Sequence, residues 1–154
     1  MSKTWKFIIS IIGAEIIGSL GAIFTSPNIT TWYATINKAS FNPPSWLFAP
    51  AWTILFFLMG WAFYLVWTSS AKDKKNAYWA FGIQFALNIL WSVIFFGAKL
   101  PGWAFFEIII FWLAILWTIL AFHKISKTAA YLLVPYIAWV TFASFLTYYA
   151  WILN

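Results

Sequence analysis

The chain has 154 residues, a length that fits one domain, and is 64% hydrophobic, 24% aromatic and only 8% charged. A soluble domain carries about 25% charged residues, so a water-soluble globular protein is excluded and the chain reads as an integral membrane protein. All nine basic residues are lysine and there is no cysteine. This excludes guanidinium clamps on phosphate, disulfides, Fe–S clusters and thiol nucleophiles. The net charge of +6 comes from lysines that flank apolar runs, which marks membrane boundaries rather than a nucleic-acid surface.

A helix needs about 20 apolar residues to cross a bilayer. Five such stretches occur, at approximately 5–25, 45–67, 77–97, 103–122 and 130–152, and predict a single all-α domain over residues 1–154, a five-transmembrane-helix bundle. Span one, with Lys3 and Lys6 ahead of it, resembles a signal peptide. Glu15 interrupts its apolar core and no small-x-small cleavage site follows, so it reads as an uncleaved helix. "TSPNITTWYATINKASFNPP" is a long polar first loop; "TSSAKDKKN", "AKLPG" and "HKISKT" are short connectors. With five spans, Lys3, Lys6, Lys72, Lys74, Lys75, Lys124 and Lys127 fall on the N-terminal side, and only Lys38 and Lys99 on the other. The positive-inside rule then places the N-terminus in the cytoplasm of a bacterial plasma membrane and the C-terminus outside.

Span two opens with "FNPPSWLFAPAW". Pro43 and Pro44 start the helix where missing N–H groups cost nothing. Pro50 is expected to bend it one turn on and aim Trp52 inward. Of the thirteen tryptophans, Trp5, Trp46, Trp67, Trp79, Trp103, Trp117 and Trp151 lie near span ends and read as interfacial anchors. Trp52, Trp61, Trp91, Trp112 and Trp139 lie deeper, where an indole N–H needs a partner; Trp61 and Trp112 read as space-filling between helices.

Helical spacing collects aromatic stripes. Span two presents Trp52, Phe56, Met59 and Phe63; span three Gln84, Asn88, Trp91 and Phe95; span five Tyr136, Trp139, Phe142, Ala143 and Leu146. At 1.5 Å per residue, Trp52 lies about 9 Å below Trp46, Asn88 about 14 Å from Gly97 and Trp139 about 18 Å from Trp151, all measured from the side of the first loop. The stripes predict an aromatic cavity reaching mid-membrane, with Trp32 and Tyr33 as a lid, suited to a large, planar, mostly apolar ligand. Small-residue seams occur at Ala14, Gly18 and Ala22 on span one and at Gly82 and Ala86 on span three. One is expected to pack helices within the protomer, the other, on span three, to form a homodimer.

The stretches "WYATINKASFNPPSWLFAPAWTILFFLMG", "ALNILWSVIFFG" and "VPYIAWVTFASFLTYYAW" resemble the TspO/MBR family, which includes the tryptophan-rich sensory proteins and translocator proteins (the peripheral-type benzodiazepine receptor). The resemblance runs in order along nearly the whole chain. It implies a five-helix bundle, often dimeric, that binds porphyrins such as protoporphyrin IX and, in some members, cholesterol and aromatic drugs. By motif position the ligand pocket would involve Trp32, Tyr33, Trp52, Gln84, Asn88, Trp91, Trp139, Phe142 and Ala143. Ala39 and Phe41 depart from the proline and tryptophan of many members, and the proline pair several members carry after the tryptophan of "ILWSVIFFG" is missing. No basic residue follows Tyr148 or Tyr149, which leaves a cholesterol-type motif incomplete.

Two acids lie within spans. Glu107 is expected to snorkel toward the far interface or approach Lys99, and Glu15 to hydrogen-bond to a neighbouring helix in its protonated form. His123, the only histidine, sits beside Lys124 at a span end; this disfavours axial haem ligation and favours a metal-free porphyrin as ligand, with no cofactor or metal. Three functions compete. The first is porphyrin binding for sensing, sequestration or transport. The second is light-dependent porphyrin degradation with Trp52 and Trp139 as electron donors. The third is proton-coupled export of aromatic cations through Glu15.

Overall fold

The computed structural model describes residues 1–154. It contains α1 (Lys3–Ser19), α2 (Ala22–Ile29), α3 (Trp32–Thr35), a 3-10 turn (Ser45–Leu47) leading into α4 (Phe48–Trp67), α5 (Lys75–Ser92) ending in a π-turn (Val93–Gly97), α6 (Pro101–His123), α7 (Lys127–Leu132) and α8 (Val134–Ile152). Four helical stretches are long and apolar enough to cross a membrane, and α1 with α2 makes a fifth, bent by 49°. The protein is a multi-pass all-α membrane protein.

Local chemistry sets the ends. The Ser2 hydroxyl accepts from the Trp5 N–H, and the Ser126 hydroxyl from the Ala129 N–H, which caps α1 and α7. Pro101 opens α6, and Pro135, lacking a donor, separates α7 from α8. Hydroxyls within the spans donate to carbonyls of their own helix, as in Thr118 to Ala114 and Thr147 to Ala143. In hydrocarbon no water is present to take that role.

Packing follows side-chain size. α1 lies along α4, and α6 is sandwiched between α5 and α8, with α7 against α4 and α6. At Gly60 a Cβ would stand 2.6 Å from the Ser10 carbonyl oxygen, so only glycine admits the α1 backbone there. The core gathers Met59, Phe85, Phe111, Phe122, Tyr136 and their neighbours from α4 to α8.

Span one is not the single helix over 5–25 that its hydropathy predicts. α1 stops at Ser19, and α2 swings away from α4 onto the π-turn, carrying helix through Ile29 into the segment read as loop. At Gly21 a Cβ would meet the Ser92 hydroxyl at 2.9 Å, so the bend rests on a close approach between helices. Pro50 does not break span two: residues 45–67 run as one helical stretch, a 3-10 turn followed by α4. Pro50 stands third in α4, where an α-helix has no use for its N–H.

Most of the span-end tryptophans lie on the surface of the bundle, and so does Trp61, rather than filling space between helices. Trp5, Trp46, Trp79 and Trp103 are largely exposed. The Trp117 indole donates to Asn76 Oδ1 (3.1 Å), and Trp67 lies under the Lys6 ammonium (5.3 Å). Trp112 does more than fill space, donating to Thr141 Oγ1 at 2.8 Å and tying α6 to α8. Of the seams, Ala14 and Gly18 are buried, Gly18 directly against the Phe56 ring, whereas Gly82 and Ala86 are open.

Candidate ligand cavity

A cavity of about 310 Å³ lies in the half of the bundle opposite the N-terminus. That is within the ~300–1,000 Å³ of small-molecule sites. On α4 its wall runs from Ser45 to Phe56, about 16 Å by helical rise. α1 presents Glu15, Gly18 and Ser19 to it and α2 adds Ala22, while α4 presents Ala49, Trp52, Thr53 and Phe56 at i, i+3, i+4 and i+7. α5, its π-turn and α8 close the remaining side.

Of the nine residues expected at the site, six line the cavity: Tyr33, Trp52, Asn88, Trp91, Trp139 and Ala143. Trp52 stacks on Phe56 (centroids 5.5 Å apart), giving one aromatic wall, and Phe85 packs behind Phe56 (6.1 Å) in the core. Trp91 stacks on Phe95 at 4.8 Å and 13°, giving a second. The π-turn contributes Phe95 and Phe96 to the cavity. Such turns recur at functional sites because they reset the helical phase locally.

Three residues lie elsewhere. Gln84 sits one turn deeper than the cavity and is fully buried; its Oε1 accepts from the Tyr136 hydroxyl at 2.6 Å. Asn88 Nδ2 donates to the same hydroxyl at 2.9 Å, so Tyr136 binds both amides of the stripe, and only Asn88 also reaches the cavity. Phe142 packs behind Trp139 (5.7 Å) against Phe41 (6.1 Å). Trp32 is a buttress rather than a lid: it meets Phe95 edge-on at 5.5 Å from outside and faces a separate groove with Lys99 and Trp151.

Tyr33 forms the corner of the lid. It is buried among Phe48, Phe95 and Phe96, and its phenol donates to Asn42 Oδ1 at 2.9 Å. Burial pushes its ionisation above the usual tyrosine range, while the Asn42 bond acts the other way. The Lys38 ammonium sits 4.8 Å from the ring and donates to the carbonyls of Tyr33 and Ile36. A distant clasp holds the segment down: Asn37 N–H donates to Asn154 Oδ1 (3.0 Å), and Asn154 Nδ2 returns a bond to the Asn37 carbonyl (2.8 Å).

Two polar atoms of the wall lack partners. The indole N–H groups of Trp91 and Trp139 are buried and unbonded. Each unsatisfied donor costs about 1–3 kcal/mol, and both nitrogens are shielded from the open space of the cavity. Glu107 neither snorkels nor pairs with Lys99: it is buried in α6, both carboxyl oxygens lack hydrogen bonds, and it lies outside the cavity. His123 lies at the end of α6 beside Tyr131 (6.2 Å), also outside the cavity.

Sequence reasoning missed the contributions of α1 and α2. Glu15, Gly18, Ser19 and Ala22 recur at helical spacing, but the small residues among them read as a packing seam. The 3.6-residue period was the available signal; the bend that opens this face depends on Gly21 meeting Ser92.

The sequence model of the TspO/MBR family matches residues 9–152. The tryptophan-rich protein TspO of Archaeoglobus fulgidus is 40% identical over 149 residues, covering 97% of both chains. The tryptophan-rich sensory protein of Cereibacter sphaeroides is 33% identical over 154 residues, all of this chain and 95% of that one. The human translocator protein is 37% identical, covering 86% of this chain and 80% of that one. A five-span helical bundle around a tryptophan-lined cavity, matched by that family along almost its full length, places the chain in the TspO/MBR family.

Proposed function

We propose that the protein binds planar, mostly apolar aromatic molecules, protoporphyrin IX among them, and holds them for sensing, sequestration or transport. One observation carries this reading: Tyr33, Trp52, Asn88, Trp91 and Trp139 meet around one cavity whose rings pair in stacks, Trp52 on Phe56 and Trp91 on Phe95. Aromatic walls gain dispersion energy against a flat ligand, and the Asn88 amide supplies a polar contact. Relatives named for sensing and translocation are in keeping with such a role.

Three further elements belong to the proposal. The N-terminus faces the cytoplasm of a bacterial plasma membrane, as the lysine distribution argues. Two copies pair through the open Gly82 and Ala86 face of α5. A second reading, light-driven breakdown of a bound porphyrin, is favoured by the position of Trp52 and Trp139 on the wall as electron donors.

The test is titration of purified, detergent-solubilised protein with protoporphyrin IX in the dark, followed by tryptophan quenching. Saturable micromolar quenching, weakened in Trp139→Phe and Asn88→Ala, is expected. Unsaturable quenching, unchanged in both variants, would remove the ligand from the cavity. Absorbance under illumination then separates the readings, since a protein-dependent product appears only with breakdown.

A further inference from the structure

The cavity wall carries one carboxyl group, that of Glu15, among indoles, phenyl rings and hydroxyls. The side-chain hydrogen bonds within this helix are those of Ser10 and Ser19 to its own carbonyls, and Glu15 has none. Lys6, on the same helix, is about 14 Å away by helical rise and is engaged over Trp67. The helices packed on α1 offer no alternative partner. α4 has Tyr64 as its titratable group, beside Phe7 near the start of α1. α5 has Lys75 and Tyr78 in its first turns, three turns short of Asn88, and α2 has none. The other titratable group on the wall is Tyr33, at the opposite end and bonded to Asn42.

Glu15 is also placed to meet a ligand. It stands one turn from Gly18, which packs against Phe56, the ring on which Trp52 stacks. Trp91 and Trp139 line the same cavity from α5 and α8. The carboxyl of α1 is therefore the one acidic group of a cavity otherwise walled by aromatic rings, hydroxyls and one amide.

We infer that, between flat ligands of one shape, Glu15 makes the cavity favour the one that carries a cationic nitrogen, bound in exchange for the carboxyl proton. A bare carboxylate at this depth is costly, so with no cation present the group holds its proton. When an aromatic cation enters, the carboxyl O–H bond breaks, the proton leaves to water, and the carboxylate pairs with the ligand. Net charge balances: one cation enters and one proton departs. The Trp52 ring adds cation–π attraction. The inference rests on the cavity being the ligand site, and deepens that reading by naming a ligand class.

The test uses two flat probes of one shape, N-methylacridinium, a permanent cation, and neutral 9-methylanthracene, with full-length protein in detergent from pH 5 to 8. The cation is expected to bind at least about tenfold more tightly than the neutral probe at pH 8, a typical strength for a charge-assisted contact. That ratio falls as pH drops, and proton release accompanies only the cation. Glu15→Gln collapses the ratio toward one at every pH and abolishes proton release; Glu15→Asp retains both in part. A ratio unchanged in Glu15→Gln, or cation binding equally strong from pH 5 to 8, overturns the inference. Binding of 9-methylanthracene without the cation also overturns it and leaves the aromatic cavity standing. Failure of both probes to bind wild type overturns the cavity reading as well.

Discussion

Replacing Tyr136 by phenylalanine takes one oxygen from the middle of the bundle. That oxygen donates to Gln84 at 2.6 Å and accepts from Asn88 at 2.9 Å, and all three side chains are buried. Within membranes such bonds contribute about 0.6 kcal/mol on average and up to about 1.7. The two amide groups left unpaired add a desolvation cost, so the loss is about 1–3 kcal/mol in total. For a chain of this length, each kcal/mol lowers the melting midpoint by about 2–4 °C. Thermal unfolding in detergent, followed by circular dichroism, should therefore show a drop of about 2–12 °C. Adding Gln84→Met, which places a second thioether beside Met59, should recover part of the loss because the orphaned amide disappears. An unchanged midpoint in Tyr136→Phe, or a double variant that loses the sum of both single effects, would refute the network as a shared, buried structure.

Three other outcomes follow from the geometry. Trp91→Phe keeps the stack on Phe95 but loses the unbonded N–H, so thermal unfolding should show the melting midpoint raised or unchanged. Asn154→Ala cuts the clasp to Asn37; hydrogen exchange over residues 30–44 should accelerate while the helical spans exchange as before. Gly82→Cys places the only thiol of the chain on the open face of α5, and mild oxidation should give a covalent dimer, whereas Ala62→Cys, fully buried, should give none.

The spans were legible because hydropathy and the 3.6-residue period are local properties. They sufficed to bring Trp52, Asn88, Trp91, Trp139 and Ala143 to one cavity. A helical face is wide, however, and spacing alone does not say which part of it a neighbour covers. Gln84 shares a stripe with Asn88, yet Tyr136 from α8 occupies the space beside it. Phe142 shares a face with Trp139 but turns toward Phe41. The α1–α2 bend was hidden because no proline marks Ser19–Gly21; it depends on Gly21 and Ser92, 71 positions apart, coming together. Pro50 falls in the first turn of α4, where its missing N–H costs no hydrogen bond, a placement that the 3-10 turn ahead of it sets. Glu107 looked close enough to a span end to reach water, but the packing of α6 in the bundle buries it.

The central claim is that an aromatic ligand occupies the space between the α4 wall and the indoles of α5 and α8. The most direct measurement is an experimental structure of the protein with protoporphyrin IX bound. The account predicts the macrocycle lying against Trp52 and Phe56, in contact with the Trp91 and Trp139 side chains. A macrocycle seated in the groove of Trp32 and Trp151, or on the Gly82 face, would contradict it.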